Sequence, residues 1–127
     1  MPISYRIDPH PEAMQLGALW QAAWGGEPPD FSLVLARSLV HVCAYDGAVL
    51  VGYVNVATDG GIHAFLLDTT VHPDWRRRGI ATELVRVATE AAGQRGAQWL
   101  HVDYEPHLET FYAGCGFRPT RAGLIAL

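Results

Sequence analysis

Val71-His72-Pro73-Asp74-Trp75-Arg76-Arg77-Arg78-Gly79-Ile80-Ala81-Thr82 is the stretch in which the hydrophobic period of this chain changes. Upstream of it lie three β-rich runs, residues 39–45, 48–57 and 62–72. Asp46-Gly47 between the first two is a two-residue hairpin signal, and Asp59-Gly60-Gly61 turns the chain into the third. Three consecutive antiparallel strands are therefore expected. Downstream, Ile80, Leu84, Val87, Ala88 and Ala91 recur at helical spacing until residues 93–96 stop them with two glycines. The quoted stretch thus leaves a strand, turns at Pro73-Asp74 and enters the first turn of an amphipathic helix. A first helical turn has free backbone N–H groups and the positive end of the helix dipole, so it can bind an anion. Gly79 and Ala81 withhold side-chain bulk there, and Arg76, Arg77 and Arg78 add charge. Physics alone gives a phosphate or pyrophosphate site. It is not a Walker loop, because no Gly-Lys-Ser/Thr follows, nor the GxGxxG of a dinucleotide fold.

The rest of the chain arranges itself around that turn. Residues 3–7 read as a short strand, and Pro9 and Pro11 mark a helix start. Leu16, Leu19, Trp20, Ala23 and Trp24 then follow the spacing of one buried helical face, which Gly25-Gly26 ends. Pro28-Pro29-Asp30 starts a short second helix through Phe31, Leu33, Val34 and Leu35. Beyond the central helix, residues 97–102 read as a buried strand. Pro106 opens a helix through Leu108, Phe111 and Tyr112, closed by Gly114 and Gly116. Residues 117–120 and 124–127 read as short final strands. The order β-α-α-β-β-β-α-β-α-β-β predicts one α/β domain over residues 1–127, with a mixed sheet.

Composition narrows the function. A chain of 127 residues, 50% apolar and 17% charged, is one folded domain rather than a disordered segment. No apolar run approaches the roughly 20 residues of a membrane span, and residues 1–10 lack a signal-peptide core. Cys43 and Cys115 match neither a disulfide framework nor a zinc pattern. A soluble, cytoplasmic protein with no membrane partner is expected. Residues 1–70 hold two basic side chains against seven acidic ones, whereas residues 71–127 hold seven against six. One compact basic spot suits a small polyanion rather than nucleic acid, and the acidic first half favours a cationic partner. The absence of lysine excludes a Schiff-base mechanism. Six histidines show no HExxH and no close pair with carboxylate support, so no metal is expected.

Arg76-Arg77-Arg78-Gly79-Ile80-Ala81 resembles the (Q/R)-x-x-G-x-(G/A) acyl-CoA pyrophosphate loop of the GNAT superfamily of N-acyltransferases. Residues 68–75 look like that family's fourth strand and its exit. Phe111-Tyr112-Ala113-Gly114-Cys115-Gly116-Phe117 is similar to its later (L/F)-Y-x-x-x-G-F motif. Both motifs stand in the family's order on the expected elements, and the element order covers the whole chain. The resemblance implies a mainly antiparallel mixed sheet with flanking helices, and two parallel strands splayed at an acyl-CoA site. It implies that backbone near Thr69, Thr70 and Val71 pairs with the pantetheine arm of acetyl-CoA. Arg76, Arg77, Arg78, Gly79, Ile80, Ala81 and Thr82 would then hold the pyrophosphate, with no metal. Two departures stand out: Ala81 replaces the second glycine, which the family allows, and Glu105 stands where an asparagine contacting the cofactor is common.

Acetyl transfer to an amine needs three services. An alkylammonium with a pKa of roughly 10 must lose a proton, the tetrahedral oxyanion needs a donor, and the departing thiolate needs an acid. The resemblance makes Tyr112 the general acid and Asp68 the candidate base. On period-two alternation Asp68 shares a strand face with Leu66 and Thr70. Asp103, Tyr104 and Glu105 end the next strand, and the helix carrying Trp20 and Trp24 borders the acceptor pocket in such folds. The expected activity is an N-acetyltransferase working by direct attack of a primary amine, small-molecule or peptide, within a ternary complex. The alternative is a non-catalytic acyl-CoA-binding regulatory module. The apolar run 124–127, an open edge if left unpaired, suggests a homodimer.

Overall fold

Ala64, Leu66, Val54, Val56, Val42 and Ala44 point to one side of a sheet, and Cys43, Tyr45 and Tyr53 to the other. That alternation is the period of two expected of strands buried on both faces. The computed structural model describes residues 2–127. In chain order it contains β1 (Ile3–Ile7), α1 (Ala13–Trp24), α2 (Phe31–Ala36), β2 (Ser38–Asp46), β3 (Val49–Thr58), β4 (His63–Val71), α3 (Ile80–Gln94), β5 (Trp99–His101) and α4 (Glu109–Gly114). Single 3₁₀ turns at Pro73–Trp75 and Pro106–Leu108 lead into α3 and α4. The strands lie side by side in sequence order; β1 to β4 are antiparallel and β4–β5 is parallel.

Helix α3 covers one face with Ile80, Leu84, Val85, Ala88, Ala91 and Ala92. It lies close because β3 carries Gly52, where a Cβ would come within 3.0 Å of Leu84 and 3.1 Å of Ile80. Leu84 is fully buried there. Its truncation to alanine should cost about 2–5 kcal/mol. The far end of α3 is pinned by Arg95, which donates to the Asp8 carboxylate and to the Leu39 carbonyl. Asp8 in turn accepts from the His41 backbone N–H. With its C-terminal end fixed, α3 presents its N-terminus at the end of β4. Helices α1 and α2 cover the opposite face through Leu16, Leu19 and Phe31.

Two features of β4 matter for the site. It pairs with β5 only from His63 to Phe65, against Trp99 to His101, and the strands part beyond that point. It also carries a bulge: in the β3 ladder Tyr53 faces Thr70 and Asn55 faces Leu67, so Val54 stands opposite both Asp68 and Thr69. Asp68 takes φ +58° to make it. The bulge splits the face on which alternation groups Leu66, Asp68 and Thr70: Asp68 stays with Thr70 on the α1 side and parts from Leu66. Leu66 lies in the α3 core, while Thr70 bonds to α1 on the other side.

The final strands expected at 117–120 and 124–127 do not form; residues 117–127 have no regular structure. Pro119 in the first run lacks a donor, and β5 is only three residues long and gives either run little edge to pair with. Leu124, Ile125 and Leu127 consequently stand exposed. The other boundaries agree within about two residues, except that β5 is shorter than the 97–102 expected. No helix among the described residues is long and apolar enough to cross a membrane.

Candidate functional site

Where β4 and β5 part, a cavity of about 560 Å³ opens. Thr69 and Val71 from β4 form its floor, and Trp75, Arg76 and Arg77 come from the turn. Gly79, Ile80, Ala81 and Thr82 supply the first turn of α3, and His107, Leu108, Phe111 and Tyr112 form the opposite wall. Trp24, the last residue of α1, closes one end.

The turn is held by local bonds. His72 caps the 3₁₀ turn, its Nδ1 accepting from the Asp74 N–H at 3.1 Å. The Trp75 indole N–H reaches back to Asp46 Oδ2 at 3.0 Å, tying the turn to the β2–β3 hairpin. Arg77 and Gly79 both adopt left-handed backbone, at φ +63° and +76°. A Cβ at Gly79 would have no atom within 4 Å, because it would project into open space rather than protein. The first backbone bond of α3 runs from the Glu83 N–H to the Gly79 carbonyl at 3.1 Å. The amides of Ile80, Ala81 and Thr82 ahead of it have no partner within the helix. Glu83 is the one acid in this turn, and Arg86 binds it at 2.6 Å, which holds its carboxyl below the usual range and offsets its charge. Among the described residues neither Arg76 nor Arg77 has a carboxylate partner. The cavity therefore combines free N–H donors, unpaired guanidinium groups and a dipole end, which fits a pyrophosphate.

Tyr112 stands in the cavity wall, 8% exposed. Its ring stacks on Tyr104 at 4.9 Å, with Phe111 and Phe117 edge-on. Burial raises its pKa, the nearby Cys115 and Asp103 raise it further, and a hydrogen bond with the Thr69 side chain partly opposes them. The phenol therefore stays protonated at neutral pH, as a proton donor must.

Asp68 does not line the cavity. It is solvent-accessible on the α1 side of β4, where desolvation by the protein around it raises its pKa. Beside it the Trp24 indole donates to Thr70 Oγ1 at 3.1 Å, and Thr70 Oγ1 donates to the Asp68 carbonyl at 2.8 Å. The two candidate proton-transfer residues thus sit on opposite sides of one strand, with Trp24 reaching from the bulge to the cavity.

Of the residues singled out from sequence, the structure gathers Val71, Arg76, Arg77, Gly79, Ile80, Ala81, Thr82 and Tyr112 around the cavity. The Thr70 side chain turns to α1 instead, so only its backbone faces the strand gap. Arg78 turns away, with its guanidinium 3.5 Å from the Asp74 carbonyl. Thr69 and Trp75, which the resemblance places in the fourth strand and its exit, also line the cavity, and His107 is an addition that no sequence motif signalled. Cys115 is no activated nucleophile, since burial pushes its thiol pKa up. His63 Nδ1 and His101 Nε2 approach to 2.9 Å away from the cavity, but no group of three potential metal ligands occurs among the described residues.

The sequence profile of the Acetyltransferase (GNAT) family matches residues 5–117. The chain belongs to that family. Mycothiol acetyltransferase of Mycobacterium ulcerans is 39% identical over 75 residues, which are 59% of this chain and 23% of the relative. The chain thus spans about a quarter of the length of the curated relatives it matches. Among solved structures, a GNAT acetyltransferase of Streptococcus pneumoniae superposes with a TM-score of 0.85 at 25% identity, covering 99% of this chain and 98% of that one. The aminoglycoside N-acetyltransferase AAC(6')-Iy in complex with CoA superposes at 0.81 with 20% identity, covering 99% and 94%. The GNAT fold, with its parallel β4–β5 pair, is the architecture expected from the sequence.

Proposed function

We propose that this GNAT domain transfers the acetyl group of acetyl-CoA to a primary amine by direct attack within a ternary complex. The observation that carries the reading is the cavity itself. Free amides at the start of α3 and the buried Tyr112 hydroxyl border one space beside the parted strands. The pyrophosphate rests on the Gly79–Thr82 amides, and the thioester lies along Thr69 and Val71. A free N–H of the parted β4 supplies the oxyanion donor.

The acceptor approaches from the α1 side, where Asp68 removes one proton from its ammonium group. The nitrogen lone pair forms the new C–N bond, the C–S bond breaks, and the thiolate takes the Tyr112 proton. The second proton of the attacking nitrogen returns to Tyr112, so one proton is released overall through Asp68. The acidic first half of the chain favours a cationic acceptor. The fold shared with an aminoglycoside acetyltransferase supports a small molecule.

The test is thiol release from acetyl-CoA with a mixed panel of amines, beside calorimetry of CoA binding. Amine-dependent release is expected. Tight CoA binding without release from any amine would favour a regulatory acyl-CoA-binding module instead. Failure to bind CoA would overturn both readings.

A further inference from the structure

The α1 side of the sheet buries a tyrosine that its packing does not explain. Tyr53 in the middle of β3 is 1% exposed, and its hydroxyl has no hydrogen-bond partner among the described residues. The ring is held by Phe31, edge-on at 5.7 Å, and packs in one cluster with Leu16, Leu19 and Leu50. Phenylalanine would fill that space equally well, whereas a buried hydroxyl without a partner costs about 1–3 kcal/mol. Two residues along, on the same face of β3, Asn55 buries an Oδ1 that also lacks a partner. Across the ladder from Tyr53 and Asn55 lie Thr70 and Leu67, and the extra residue the bulge inserts between them is Asp68. Two orphaned polar atoms and a carboxylate thus share one patch of two adjacent strands. A bound water requires two to four such partners.

We propose that Tyr53 is the positioning residue for Asp68: its hydroxyl donates to a water that donates to the Asp68 carboxylate, and the acceptor ammonium passes its proton to Asp68 through that water. This rests on the reading of Asp68 as the base. The ammonium N–H bond breaks toward the water oxygen as a water O–H bond breaks toward Asp68. The nitrogen is left with a free lone pair, Asp68 becomes a carboxylic acid, and the water is regenerated. The water then accepts from Tyr53 and the ammonium, and donates to Asp68 and Asn55 Oδ1.

The ionisable groups bearing on Tyr53 are Asp68 from β4 and Cys43 from β2, with Tyr45 also in the cluster; Leu16, Leu19 and Phe31 of α1 and α2 pack in the same cluster. Burial pushes the Cys43 thiol up to about 12, so it is neutral near pH 7. Burial and the Asp68 charge keep the Tyr53 phenol protonated as well. Asp68 is then the one group in this set whose charge changes below neutrality.

The experiment compares the wild type, Tyr53→Phe and Asp68→Asn. It uses kcat/KM for the panel amine with fastest thiol release across pH, CoA affinity by calorimetry, melting temperature, and the Asp68 carboxyl titration by ¹³C NMR. For Tyr53→Phe, the amine kcat/KM should fall about tenfold while CoA affinity holds and the melting temperature does not drop. Loss of a donor that stabilises the carboxylate should also move the Asp68 midpoint and the acid limb of the profile to higher pH. Unchanged kcat/KM and an unchanged Asp68 midpoint in Tyr53→Phe overturn the inference while Asp68→Asn remains defective. A fall in CoA affinity or melting temperature that matches the kinetic loss marks packing damage and overturns it too. Wild-type kinetics in Asp68→Asn remove the base reading and this inference with it. The NMR titration gives its answer without turnover, so failure of the whole acetyltransferase reading is separately visible.

Discussion

Gly79 lets two consequences of one substitution be separated. Its backbone lies at φ +76°, ψ 11°, and a Cβ there would meet no atom within 4 Å. A side chain at Gly79 therefore costs the fold only backbone strain, about 1–2 kcal/mol and somewhat more for a β-branched residue. An unfolding entropy of about 2.1 cal/mol/K per residue makes that a drop of roughly 4–7 °C in melting temperature for a chain of this length. Gly96, at φ +100° beyond the other end of α3, also has no atom within 4 Å of an added Cβ, so Gly96→Ala should destabilise to a similar degree. The ligand tells the two apart. Only Gly79 faces the cavity, and holding a phosphate away from even one amide forfeits a charge-assisted bond of about 1.5–3 kcal/mol. CoA affinity measured by calorimetry should fall from tenfold to more than a hundredfold in Gly79→Val, and not at all in Gly96→Ala. If Gly79→Val melts lower but binds CoA as the wild type does, the glycine serves the turn alone and the pyrophosphate lies elsewhere.

Tyr112→Phe preserves the stack on Tyr104 and removes only the donor. Its kcat should fall by roughly 10²–10⁴ with CoA affinity unchanged, and a wild-type kcat in a chemistry-limited assay would exclude the acid role. The Asp68→Asn defect should shrink at high pH, where the acceptor is already a free amine; a defect that is constant with pH counts against the base. Desolvation raises the folded-state pKa of Asp68 above its ordinary value of 3.8. The fold therefore bears a penalty that develops as pH rises from 3.8 through the folded pKa and persists above it. Asp68→Asn should accordingly melt no lower than the wild type at pH 7, with the difference narrowing in acid; a lower melting temperature at pH 7 contradicts this. With Leu124, Ile125 and Leu127 exposed, a homodimer is expected, and a monomer mass that does not vary with concentration in light scattering would exclude it.

Most of the fold was legible because its signals are local. The Asp46-Gly47 hairpin, the helical spacing from Ile80 to Ala91 and the capping glycines each declare themselves within a few residues. The anion-binding turn belongs to this class, since free amides and a left-handed glycine are properties of a short segment. The bulge at Asp68 was not legible. Nothing in Leu66-Leu67-Asp68-Thr69 departs from a strand, and the extra residue becomes visible only against the partner register of β3. That single residue parts Asp68 from Leu66, with which alternation groups it. The contacts of Trp75 and Thr69 were hidden for a related reason: Trp75 bonds to Asp46, 29 residues before it, and Thr69 meets Tyr112, far after it. The terminal strands failed differently. Their composition suits a sheet, but strand formation needs an edge to pair with, and three residues of β5 offer little.

The brevity of the β4–β5 pairing also bears on how the molecule comes apart. Three residues on each strand close this seam of the sheet; beyond them the cavity separates Val71 from His107 and Phe111, and the Thr69–Tyr112 contact spans it. Segments joined by few backbone bonds open at lower free energy than the global fold. Amides from Trp99 through α4 should therefore take up deuterium well before those of β2 and β3. A molecule seated in the cavity touches both lips of the seam, so each local opening would have to release it first. At a ligand concentration a hundred times its Kd this adds about 2.7 kcal/mol to the opening, close to a hundredfold slowing of exchange confined to the last quarter of the chain. On the proposed reading acetyl-CoA is the fastening of that seam as well as the acetyl donor, and release of CoA returns the enzyme to its loosest form.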